Sequence, residues 1–132
     1  RMNSIQVTTT KRVEAIDISA LVQRELAQRK IESGVCLVYS PHTTAGITVN
    51  EHADPAVMKD VLAWLGKQAP FEGNYSHLEG NSAAHIKAVL VGTSTLVPVE
   101  AGKLALGRWQ GIFLCEFDGP RPRKVYIQVV HD

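Results

Sequence analysis

Cysteine is scarce in this chain, with only Cys36 and Cys115. Each lies in a strand-like apolar stretch, and free cysteine behaves as a small core hydrophobe, so both are expected as buried thiols and no disulfide scaffold is implied. An excess of one charge is also missing. Lys+Arg number 14 against 13 Asp+Glu, a net charge of +1, which gives no electrostatic footprint for nucleic acid. No apolar run approaches the roughly 20 residues that span a bilayer. The opening Arg1-Met2-Asn3-Ser4 lacks the pattern of a signal peptide, and an Arg before Met reads as a processing remnant. These absences predict a cytoplasmic protein with neither membrane nor nucleic acid as partner. Gly-rich phosphate loops of the Walker or dinucleotide type are absent too. So is the length for a (β/α)₈ barrel, which typically needs about 250 residues.

What is present is ordinary globular usage, 45% hydrophobic and 20% charged over 132 residues. That predicts one domain over residues 1–132, large enough to bury roughly two-thirds of its extended surface. Ser4 to Thr10 and Arg12 to Ile18 alternate as half-buried strands do. Ser19 can cap a helix running to about Lys30, with Leu21, Val22 and Leu26 at helical spacing. Val35-Cys36-Leu37-Val38-Tyr39 is the continuous apolar run of a strand buried on both faces, and Ile47-Thr48-Val49 is a shorter one. Asp54-Pro55 starts a second helix, with Val57, Val61, Leu62 and Leu65 on one face and an end at Gly66. After a loop from Gln68 to Ser76, Asn81 or Ser82 opens a third helix that ends near Gly92. Ser94 to Val99, Gly111 to Phe117 and Lys124 to Val130 read as strands joined by turns. About three helices among irregularly spaced strands make the class α+β.

Two segments carry the chemistry. Ser40-Pro41-His42-Thr43-Thr44-Ala45-Gly46, followed by Asn50-Glu51-His52, puts an imidazole, three hydroxyls and a carboxylate around a connection between strands. Loops held by rigid strands are where binding groups tend to sit, and His42 with Glu51 supplies a base and a partner for acid–base work. Thr43 and Thr44 alone could simply bond their own backbone. The second segment is His77-Leu78-Glu79-Gly80-Asn81-Ser82-Ala83-Ala84-His85. With Asn81 as cap, His85 lies one turn into the helix, near its positive end, where a neutral ring is favoured. His42, His77 and His85 are candidate metal ligands, since three imidazoles with one open position describe a catalytic zinc site. They equally describe a metal-free acid–base and anion site. His52 and His131 have no companions and read as surface residues. Trp109, between Gly107 and Gly111, is a stacking platform or an interface residue. Arg108, Arg121, Arg123 and Lys124 form a modest cationic group able to clamp phosphate, with Arg121 itself read as a solvated turn residue.

Taken together the chain resembles the YjbQ-like family, sometimes labelled secondary thiamine-phosphate synthases. The match runs through His42-Thr43-Thr44-Ala45, Thr48-Val49-Asn50-Glu51, Asp54-Pro55 and Asp60, then Tyr75-Ser76-His77, Glu79-Gly80-Asn81 and His85-Ile86-Lys87. It closes with Gly92-Thr93-Ser94, Pro98-Val99, Gly102, Gly107, Trp109-Gln110-Gly111 and Glu116. The resemblance implies an α+β domain with a large mixed sheet, assembling as a homotrimer with the histidines near subunit boundaries. It also implies a transferase joining an aminopyrimidine diphosphate to a thiazole phosphate with release of pyrophosphate. Arg108 stands where the family is expected to place a small hydroxyl residue. On this reading His42, Glu51, His77 and His85 are catalytic. Thr43, Thr44, Asn81, Arg108, Trp109 and Arg123 bind a small phosphorylated molecule, and a divalent cation, zinc or magnesium, takes part. Metal-assisted hydrolysis of a phosphorylated substrate and non-catalytic metabolite binding by a trimer are the alternatives.

Overall fold

The computed structural model describes residues 2–131; Arg1 and Asp132 lie outside it. In chain order the elements are β1 (Met2–Thr8), β2 (Glu14–Asp17), α1 (Ser19–Ala27), β3 (Ser33–Tyr39), β4 (Ala45–Glu51), α2 (Pro55–Gln68) and α3 (Ser82–Val91). Then follow β5 (Ser94–Glu100), β6 (Lys103–Leu104), β7 (Gln110–Glu116) and β8 (Pro122–His131). The class is α+β with three helices, as the sequence implied. The sheet differs in detail from a single mixed one. The strands form a five-stranded sheet in the order β1-β8-β3-β5-β6 and a three-stranded sheet in the order β2-β7-β4, and every pairing described is antiparallel. No βαβ crossover joins neighbouring strands, so nothing enforces a parallel pair.

The layers follow from alternation along each strand. Cys36 and Val38 of β3, Val97 and Val99 of β5, and Val125, Ile127 and Val129 of β8 point inward from the large sheet. They meet Ala45, Ile47, Ile112 and Leu114 from the small sheet, with Val22 and Leu26 of α1 completing this core. The opposite face of the small sheet carries Phe113, Cys115 and, just beyond β7, Phe117. These pack on Met58 and Leu65 of α2 and Ala84 and Ala88 of α3 in a second core. The small sheet is thus covered on both sides, and all of Gly111 to Phe117 is buried. Both cysteines are free and buried, with Cys115 pushed up to about 12 by burial.

Several boundaries move. The first helix ends at Ala27 rather than near Lys30, and α2 runs through Gly66 to Gln68. Ile18 takes the N-cap position of α1, with Ser19 inside the helix. Asp54 caps α2 as its sequence announces, its side chain accepting from the Ala56 N–H. The buried residues of α2 are Met58 and Leu65, while Val61 is exposed. The strand β3 is central in its sheet yet buried on one face only. Val35 and Tyr39 are exposed with Leu96 of β5 and Val130 of β8, on a face that none of the described residues covers.

Candidate functional site

The loop from Ser40 to Thr44 is held from three directions. Ser40 is buried; its N–H donates to the Thr93 carbonyl (2.7 Å) and its Oγ to the Ala45 carbonyl (3.0 Å). Below the loop lies a buried ion pair that bridges the two sheets at one end of the sandwich. Arg123 Nε donates to Glu116 Oε1 at 2.8 Å, and its Nη2 donates to Glu116 Oε2 and to Thr44 Oγ1 at 2.8 Å. Thr9 Oγ1 and the Asp118 N–H also donate to the Glu116 carboxylate. Burial pushes the Glu116 carboxyl up, but these hydrogen bonds outweigh it and hold the group below the ordinary carboxylate value.

This arrangement corrects the role read for Arg123. With 2% of its surface exposed and its guanidinium engaged by Glu116 and Thr44, it is a scaffold residue and has no free fork for phosphate. Thr44 is likewise buried and faces Arg123, whereas Thr43 is exposed. Next along β8, the Lys124 N–H donates to His42 Nε2 at 2.9 Å. A nitrogen that accepts is unprotonated, so the His42 proton sits on Nδ1 when the ring is neutral. Burial and the Arg123 charge hold His42 below its ordinary value, against the opposing pull of Glu116.

The helix α3 brings the second segment alongside. Gly46 of β4 allows this approach: a Cβ there would lie 2.7 Å from the Gly92 carbonyl oxygen and 2.9 Å from a Val91 methyl. His85 and His77 meet edge to face with ring centroids 5.3 Å apart. Tyr75, Ser76, His77, Ser82, His85 and Ile86 line one concavity of about 290 Å³. A second, of about 300 Å³, is lined by His42, Thr43, His85, Ala88, Val89 and Thr93. His85 belongs to both, so the three histidines lie along two adjoining hollows with His85 as the shared wall.

They do not form a metal-binding set within one chain. No group of three or more His, Cys, Asp or Glu among the described residues is placed to hold a metal ion, and His42 already spends Nε2 on the Lys124 N–H. The residues present therefore do not fit the three-histidine zinc site.

The remaining candidates fall elsewhere. Asn81 is at the N-cap position of α3 but makes no capping bond; its Nδ2 donates to Asp118 instead (3.0 Å). Glu51 ends the strand that His42 precedes, and Ala45 and Glu51 are roughly 20 Å apart along it. There the Glu51 carboxylate accepts from the Asp54 N–H (3.2 Å), which steadies the entry to α2. Arg108 and Trp109 lie at this same far end, next to Gln110, which pairs with Glu51. The Arg108 guanidinium lies over the Trp109 ring at 4.9 Å. Sequence reasoning missed Ser82 and Thr93 as lining residues, and gave Glu116 no role. Lys87 also went unassigned; it is buried on α3, and burial lowers its ammonium below the ordinary value.

The family model described as UPF0047 protein YjbQ-like matches residues 3–132. The chain belongs to this family. It is 52% identical over 130 residues to UPF0047 protein YugU of Bacillus subtilis, covering 98% of each chain. To UPF0047 protein MJ1081 of Methanocaldococcus jannaschii it is 47% identical over 127 residues, covering 96% of this chain and 92% of that one. Among solved structures, a YjbQ/UPF0047 family protein from Clostridium acetobutylicum superposes with a TM-score of 0.95 at 48% identity, covering 97% of this chain and 99% of that one. A YbjQ-like protein from Sulfolobus solfataricus gives 0.95 at 32% identity, covering 100% and 97%. No helix among the described residues is long and apolar enough to cross a membrane.

Proposed function

We propose that this protein joins two small molecules, at least one of them phosphorylated, in the paired hollows that share His85. The reaction implied by the family resemblance fits this layout: an aminopyrimidine diphosphate and a thiazole phosphate give thiamine phosphate and pyrophosphate. One imidazole forming the common wall of two adjacent cavities is the observation that supports a two-substrate reaction over simple hydrolysis. In such a step the thiazole ring nitrogen forms the new C–N bond, and the C–O bond to the diphosphate breaks with its electron pair leaving on pyrophosphate. His85 and His77 would donate hydrogen bonds to the departing oxygens. The N–H groups of the first turn of α3 favour negative charge there. Next to His42, the exposed Lys124 and the nearby Arg121 charge add positive potential. A divalent cation in this reading is carried by the diphosphate oxygens, the ligands that suit magnesium.

Glu51, Arg108 and Trp109 reach these hollows only from another copy of the chain. The exposed apolar face of the large sheet, with Val35, Tyr39, Leu96 and Val130, supports the homotrimer that the resemblance implies. The reading is tested by incubating the protein with both substrates and magnesium and measuring pyrophosphate and thiamine phosphate. His85→Asn should lower turnover by about a hundredfold or more, the scale of acid–base and hydrogen-bond contributions. Saturable binding of either substrate without product would instead make this a metabolite-binding protein. A monomer in sedimentation equilibrium at micromolar concentration would remove the trimer.

A further inference from the structure

The far end of the small sheet holds a pair of titratable groups that the proposed reaction does not use. His52 follows β4 directly, and its N–H donates to the Trp109 carbonyl (2.9 Å). This bond continues the β4–β7 ladder by one residue. On the other side of β7 stands Asp17, at the end of β2, paired with Phe113. Two strand spacings, about 9.6 Å, separate β4 from β2, and a side chain on β7 would ordinarily fill the gap. Here the β7 residue is Gly111. A Cβ at that position would lie 2.5 Å from His52 Nδ1 and 2.6 Å from Cγ, so the imidazole lies across the strand where the glycine leaves room. The ring reaches Asp17, with Nδ1 at 2.8 Å from Oδ2.

Asp17 is fixed in turn. Its Oδ1 accepts from the Ser19 N–H (2.9 Å) and the Ser19 hydroxyl (2.6 Å), and Ser19 Oγ accepts from the Ile112 N–H (2.8 Å). A carboxylate held on one oxygen and directed at Nδ1 by the other selects the tautomer with the proton on Nδ1. The lone pair is then left on Nε2, which has no hydrogen-bond partner among the described residues. The His52 side chain is 33% exposed, and exposed Trp109 stands opposite it on the ladder.

We propose that Asp17 and His52 form a general-base dyad, a second reactive site that takes a proton from a hydroxyl group, water included. His52 is the base, and Asp17 is the positioning residue that orients the ring and stabilises its imidazolium. With an activated ester as co-reactant, Nε2 accepts a proton from water while the hydroxide adds to the acyl carbon. The tetrahedral adduct then breaks its C–O bond, the alkoxide or phenolate leaves with the electron pair, and the imidazolium returns its proton to solvent.

The probe is p-nitrophenyl acetate with the full-length protein, followed by release of p-nitrophenolate. His52→Gln should lower the rate at least about tenfold, below the usual range for general bases because the probe is small and unanchored. Asp17→Asn should lower it less. A nitrogen-15 spectrum of the histidines tests the geometry without any variant, and should show the His52 tautomer that carries its proton on Nδ1. In Asp17→Asn the tautomer should shift toward Nε2–H, and the hydrolysis rate should fall with that shift while the urea unfolding midpoint stays close to the parent's. Hydrolysis equal in the parent and the Gln variant, or a parent His52 with its proton on Nε2, overturns the proposal.

Discussion

Removing the guanidinium of Arg123 tests the buried bridge between the sheets. Arg123→Met keeps the stem that packs in the core but leaves the Glu116 carboxylate, which is fully buried, without its charged partner. Breaking a buried pair on one side typically costs about 3–5 kcal/mol, whereas an exposed pair is worth about 0–1. For a chain of this size each kcal/mol moves the melting temperature by about 3–5 °C, so a fall of about 10–20 °C is expected. The double variant Arg123→Met/Glu116→Leu should recover more than half of it, because an apolar pair of similar volume replaces a buried ion pair at little net cost. Thermal and urea unfolding at pH 7, at one fixed protein concentration, measure this. The parent should also lose stability in acid through this pair. The folded carboxyl lies below the ordinary value of 4.5, so its contribution is complete above that value and is lost as pH falls through the lowered folded one. A single variant costing less than about 1 kcal/mol would show that the bridge acts as a solvated surface pair, and the reasoning would fail.

Two further outcomes are expected. Gly46→Ala should destabilise by about 1–3 kcal/mol, because its Cβ would meet the Gly92 carbonyl and Val91. It should also shift the His85 resonances as α3 moves outward; an unchanged melt and spectrum would show that the contact yields freely. His42 should titrate below 6.5 in an NMR pH series. Because its folded value is the lower one, its contribution to stability is present above 6.5 and declines as pH falls toward the folded value; titration at or above 6.5 would contradict the burial of the ring beside the Arg123 charge.

The parts of this structure legible in the sequence are those set by neighbours along the chain. The Asp54-Pro55 helix start is one, and the meeting of His77 with His85, eight residues apart, is another. Burial on one face of β3 was not legible, since Val35, Leu37 and Tyr39 are as apolar as Cys36 and Val38, and the run alone does not say which side is covered. The polar end of β4, Asn50 and Glu51, joins the strand because β7 pairs with it, not through its own composition. Edge strand β6 has only two residues and leaves no periodic signal. Arg123 reads as a cation in a charged turn until Glu116, on the other sheet, is seen to face it. His52 reads as a solitary surface residue because Asp17 is 35 positions away, with a third strand between them.

The order of strands has a consequence for how the chain is made. The last strand, β8, is the partner of both β1 and β3, and β7 is the partner of both β2 and β4. Four strands from the first 51 residues therefore wait for residues 110–131 before their ladders can close. During synthesis the first 100 residues carry the three helices and β5, the antiparallel partner of β3, but neither β7, the centre of the small sheet, nor β8, which joins β1 to β3. Such distant pairing makes folding slow for a domain of this length. It also leaves apolar strands such as Val35 to Tyr39 uncovered until the C-terminal quarter has left the ribosome, the interval in which aggregation competes with folding.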